Sequence, residues 1–102
     1  MVKFNSVNYV TRLCLRLNLL PQDITKILDM YDKISKHPHW VSVRSNRGLL
    51  VDCVYIHCVN TSKNISIEKM KSITKKEFGV STQPRPNKWR GVYGLQSIIE
   101  PL

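Results

Sequence analysis

Glycine, aromatic and acidic residues are all scarce in this chain, and each scarcity narrows what it can be. Only four of its 102 residues are Gly and 8% are aromatic. No Asn-Gly or Asp-Gly pair occurs, so the strongest short-range hairpin signal is missing. The three cysteines, Cys14, Cys53 and Cys58, are an odd number without framework spacing. That excludes a disulfide scaffold and predicts free thiols in a reducing compartment. Apolar runs stay well short of the ~20 residues that span a membrane, so no membrane partner is expected. Met1-Val2-Lys3-Phe4-Asn5 leads straight into helical pattern, not a secretory leader, which predicts a soluble intracellular chain. Catalytic signatures are missing too. Neither a glycine-rich phosphate loop nor a nucleophile elbow nor a metal-ligand helix motif is present, and the expectation is a protein that is not an enzyme.

What the chain has in excess is positive charge. Sixteen Lys and Arg stand against seven Asp and Glu, a formal net charge of +9. Charge of that size speaks to polyanionic partners and association rate rather than to fold. With 42% apolar residues the chain is no disordered basic tail, and its length predicts one domain over residues 1–102. Abundant Ile, Lys and Asn are what an AT-rich genome encodes, as in large DNA viruses or protists.

Five helical segments can be read. The first runs from about Ser6 to Leu19, with Val7, Val10, Cys14 and Leu17 at helical spacing and Arg12 and Arg16 on another face. Leu20-Pro21 then breaks the chain, with Pro21 suited to a first helical turn. A second segment, Gln22 to Ser35, carries Ile24, Ile27, Leu28, Tyr31 and Ile34, with Asp23 and Lys33 placed to complement the helix dipole. His37-Pro38-His39 ends it, and the loop through Trp40, Val41 and Val43 is apolar enough to pack on the core. The third segment, Asn46 to Val59 behind a Ser45 cap, is apolar almost all round, the mark of a buried central helix. The fourth runs from a Ser66 cap through Ile67, Met70 and Ile73 to Phe78. The fifth, Asn87 to Ile99, has Trp89, Val92, Tyr93, Gln96 and Ile99 as its stripe. Trp89 and Trp40 are read as core residues rather than base-stacking platforms.

The last two segments, joined by Gly79-Val80 and a polar stretch, have the order of a helix-turn-helix pair with a long turn. Eight Lys and Arg between Lys63 and Arg90 face only Glu68 and Glu77. The candidate nucleic-acid-binding residues are Lys75, Lys76, Ser81, Thr82, Gln83, Arg85, Asn87, Lys88 and Arg90. Lysine and arginine neutralise phosphates, while Gln, Asn and Arg can bond bidentately to adenine or guanine edges. Pro84 and Pro86 would hold the intervening chain extended, like a minor-groove arm or a phosphate clamp. Metal binding is not expected. Cys53 and Cys58 would lie about 140° apart on a helix, and His37 and His39 lack a cysteine pair at finger spacing. His57 reads as a satisfied core or rim histidine, and Asp29 and Asp32 as solvated or lysine-paired.

Several of these pieces, in order, resemble one cyclin-like repeat of the transcription factor IIB family over about Val10 to Ile99. The carrying residues are Leu19-Leu20-Pro21, Arg44-Ser45, Cys53-Val54-Tyr55-Ile56, the run from Ile67 to Ile73, and Phe78-Gly79-Val80-Ser81. The chain departs from the family in having one repeat, no cysteine-rich zinc ribbon, a bulkier central helix and a delayed fifth helix. The resemblance implies an all-α, five-helix cyclin-like bundle. It also implies a transcription-initiation role on double-stranded DNA, with TATA-binding protein and RNA polymerase as partners. The nucleus or a cytoplasmic viral factory would be its place. The alternative is a cyclin-fold interaction module that binds an acidic viral or host regulator without touching DNA.

Overall fold

Apolar circumference sets the centre of this molecule. The computed structural model describes residues 5–36, 46–63 and 65–85. Among them are four helices and no strand: α1 (Ser6–Arg16), α2 (Pro21–Ser35), α3 (Asn46–Asn60) and α4 (Ile67–Phe78). Ten residues of α3 are buried, including Leu50, Val51, Cys53 and Val54, so this helix is the central one. Helix α1 packs on α2, α3 and α4, and α2 also packs on α3. Among the described residues the all-helical expectation holds. The expected fifth helix, the loop from His37 to Val43 and the Ser45 cap lie outside the described residues. No described helix is long and apolar enough to cross a membrane.

Local chemistry accounts for most helix ends. Asn5 caps α1 by accepting from the backbone of Asn8 at 3.0 Å. That helix stops at Arg16, three residues before the expected Leu19, because Asn18 takes a left-handed φ of 59°. Asparagine tolerates this conformation better than most residues, and the Leu19 amide then donates back to the Cys14 carbonyl at 2.9 Å. Pro21 opens α2, and the Asp23 carboxylate accepts from the Leu20 amide at 2.8 Å. Ser66 caps α4 through the Lys69 amide at 3.0 Å, as expected. Gly79, left-handed at φ 79°, closes that helix by donating to the Lys75 carbonyl at 2.9 Å.

The apolar stripes need some correction. On α1 the buried face is Tyr9, Val10, Leu13 and Cys14, whereas Val7 is 57% exposed. A stripe set by periodicity alone leaves its rotation open, and packing against three helices turned this one toward Tyr9 and Leu13. On α2, Ile27 and Ile34 are buried as expected and Met30 joins them, while Ile24, Leu28 and Tyr31 flank the core. All three cysteines are free and buried.

Helix α4 is held to α1 by a stacked and charged clamp. The Tyr9 and Phe78 rings stack with centroids 4.0 Å apart, and the Arg12 guanidinium lies 5.0 Å from the Phe78 centroid. Arg12 and Arg16 each reach one carboxylate oxygen of Glu77 through Nε at 2.7 Å. These two arginines, read from the sequence as a separate basic face, are structural partners of α4.

Candidate nucleic-acid interface

Beyond Gly79 the chain runs on through residues 81–85 with no helical or strand pairing, yet it is tied to the body at two points. The Thr82 amide donates to the Thr74 hydroxyl at 2.8 Å, and that hydroxyl in turn donates to the Lys71 carbonyl at 2.9 Å. Three residues on, the Arg85 amide donates to a carboxylate oxygen of Asp52 at 2.7 Å. Both acceptors are completely buried, Thr74 on α4 and Asp52 on the central helix. A buried carboxylate needs hydrogen-bond donors, so the site at Asp52 strongly favours this path of the chain.

Burial alternates along the segment. Thr82 is half-buried and Pro84 buried, while Ser81, Gln83 and Arg85 are exposed. Pro84 has no amide to satisfy, which suits it to an inward position between the tethered amides of Thr82 and Arg85. The result is a row of three outward side chains on every second residue, with their backbone fixed from beneath. Of the expected contact residues, Ser81, Gln83 and Arg85 therefore share one exposed face. Thr82 does not, because its half-buried position and its amide bond to Thr74 make it part of the fastening.

The end of α4 carries two more of the expected residues. Lys75 and Lys76 are exposed, and the Lys75 ammonium donates to the Gly79 carbonyl at 3.2 Å, completing the helix terminus. Glu77, the acidic residue of that run, is turned to Arg12 and Arg16. Its hydrogen bonds from Arg16 and then Arg12 hold its carboxyl below the usual carboxylate range. The acid is thus neutralised from α1, and Lys75 and Lys76 keep their charge undiluted by it. Asn87, Lys88 and Arg90 lie outside the described residues, as do Trp89 and Pro86.

Sequence reasoning misses Asp52 and Thr74 as site residues. A signal exists for Asp52, the one acidic residue in an otherwise apolar central segment. Thr74 offers none. A second unforeseen contact joins Asp23 to His57, whose Nε2 lies 2.8 Å from the carboxylate in a buried pair. His57 is thus a satisfied core histidine, as expected, and Asp23 does more than complement a helix dipole. Asp29 and Asp32 pair with Lys33 and Lys36 one turn on, at 3.2 and 2.9 Å. Among the described residues no group of three or more His, Cys, Asp or Glu is placed to hold a metal ion. Comparisons with protein families, curated proteins and solved structures find no match for the chain.

Proposed function

We propose that this chain is a DNA-binding module of the transcription-initiation type, docking on duplex DNA through the end of α4, residues 81–85 and the segment that follows. The observation that carries this reading is the outward row Ser81, Gln83 and Arg85 on a backbone fastened at Thr74 and Asp52. In an extended chain every second residue recurs at about 6.6–6.8 Å, close to two steps of the ~3.4 Å rise along a duplex. A prefastened row of that pitch can follow a groove or backbone without first being ordered, which lowers the entropic cost of binding. Lys75 and Lys76 add phosphate-neutralising charge beside it. The resemblance to the transcription factor IIB family supports the same role. It extends the proposal to a fifth helix completing a cyclin-like bundle, and to TATA-binding protein and RNA polymerase as partners. The proposed role is binding without turnover.

Duplex binding followed by fluorescence anisotropy across a salt series tests this. Charge reversal at Arg85, Lys88 and Arg90 should weaken binding about tenfold or more. It should also lower the log–log salt slope by about one for each phosphate no longer neutralised. Gln83→Ala or Asn87→Ala should instead relax sequence preference, by about 1–3 kcal/mol for each bidentate pair to a base edge that is removed. Arg12 and Arg16 make poor controls, because reversing them would break the clamp on Glu77. Lys33→Glu with Lys36→Glu on α2 is the better control and should change little. Equal weakening by both sets would mean a generic basic surface. Unchanged binding in both would transfer the assignment to an interaction module for an acidic partner.

A further inference from the structure

Helix α4 turns to solvent a face that the fastened row leaves unused. Met70 and Thr74 are buried on one side of this helix, while Lys69, Ser72 and Lys76 are exposed on the other. Lys69 and Lys76 stand seven residues apart. On a helix that spacing returns to within about 20° of the same direction and covers about 10.5 Å of axis. Ser72 falls between them, one turn before Lys76. The stripe thus starts in the first turn of α4 and ends in its last. From there the chain passes through Gly79 directly into Ser81, Gln83 and Arg85.

Both acids of α4 are engaged away from this stripe. Glu77 is held by Arg12 and Arg16 of α1. Glu68, about 100° round the helix from Lys69, has its carboxylate 3.8 Å from the Lys71 ammonium. Lys69 and Lys76 make no ion pair among the described residues. Two lysines on one edge without a counter-charge suit a polyanion, which releases its condensed cations on meeting them. The 10.5 Å between them is about three base-pair steps of a duplex, so both ammonium groups can reach phosphates of one strand.

The stripe is also limited by its chemistry. Lysine is a compact point charge and a serine hydroxyl bonds any acceptor, so neither supplies the planar bidentate group that best tells base pairs apart. Such groups come next in the chain, at Gln83 and Arg85.

We infer that α4 lies along the phosphates of one DNA strand, gripped by Lys69, Ser72 and Lys76, and that base readout is confined to the chain after Gly79. The inference rests on the duplex-binding reading and divides that work between two elements.

Fluorescence anisotropy across a salt series tests it, with two duplexes of about 20 base pairs, one of A·T pairs only and one of G·C pairs only. Lys69→Ala and Lys76→Ala should each weaken binding to both duplexes about fivefold and lower the log–log salt slope by about 0.9. The ratio of the two affinities should stay within about twofold of that of the unaltered chain. Both lysines are exposed and alanine favours helix, so the variants should keep the fold, as circular dichroism checks. Lys26→Ala removes the same charge from α2 and should change neither affinity nor slope. An unchanged slope in Lys69→Ala, an equal loss in Lys26→Ala, or a shifted ratio between the duplexes would each overturn the inference and leave duplex binding standing. No binding by the unaltered chain would overturn the duplex reading itself, and this inference with it.

Discussion

Buried titratable side chains show how much single residues decide here. The bond from His57, followed by the Leu20 amide, holds the Asp23 carboxyl below its ordinary value of 3.8. A depressed folded-state value means that the unfolded chain binds the proton more tightly. The contribution of Asp23 to stability is therefore present above its unfolded value, near 4, and is lost as pH falls through the lower folded value. The stability gap between the wild-type chain and Asp23→Asn, followed by urea unfolding, should thus stay level at neutral pH and close on acidification. His57→Ala should cost more, about 3–5 kcal/mol, because it leaves the Asp23 carboxylate buried without its partner. The thiols behave in the opposite sense. Burial first, then Cys58 and Asp23 nearby, push the Cys14 thiol up to about 12. Burial likewise drives Cys58 to about 11 and Cys53 further up. Thiolate is what reacts, so at pH 8 a thiol reagent should label the three cysteines slowly in the native protein and stoichiometrically only after unfolding.

At the scale of elements, α3 and the segment fastened over it form one mechanical unit. Leu50 is fully buried on α3, and Leu50→Ala should cost about 2–5 kcal/mol, from the burial it forfeits and the cavity it leaves behind. Cys53→Asp places an unpaired charge in the same core and should leave the domain unfolded by circular dichroism. Thr74→Val is a gentler probe. It keeps the shape of the side chain but removes the acceptor for the Thr82 amide, at about 1–2 kcal/mol. Hydrogen exchange at Thr82 should quicken in that variant, with α1 and α2 unaffected. If residues 81–85 are the DNA-facing row, the same substitution should weaken duplex binding although it removes no charge. Unchanged affinity in Thr74→Val would show that fastening the row contributes nothing to recognition.

Across the whole molecule, the net charge of +9 sets repulsion against compactness. Glu77 is a local answer to it, since one carboxylate satisfies two arginines on another helix. Glu77→Gln raises the net charge from +9 to +10 and breaks that clamp. Its melting temperature should fall below that of the wild-type chain at low salt. Added salt screens both the repulsion and the clamp in the wild type, but only the repulsion in the variant. The gap between the two should therefore narrow as sodium chloride is raised. A constant gap would mean that Glu77 acts through packing rather than charge.

Local sequence was enough to place the four described helices, because caps and periodicity act over a few residues. Pro21, Ser66 and Gly79 mark their helix ends through their own backbone preferences, and the apolar circumference of the central segment could be satisfied only by burial. The basic run from Lys63 to Arg90 was equally plain. Tertiary structure decided which way each face turned and which polar groups met. Val7 and Tyr9 were both eligible for the core of α1, and contact with α4, through Phe78, chose Tyr9. Asp23 and His57 are 34 residues apart, Asp52 and Arg85 are 33 apart, and Arg12 and Glu77 are 65 apart. Buried polar groups must find partners wherever the packing of distant helices brings them, and neither composition nor spacing encodes that geometry. For this reason the residues of the basic segment were legible in the sequence, while the fastening that sorts Ser81, Gln83 and Arg85 outward from Thr82 and Pro84 inward was decided only by the fold.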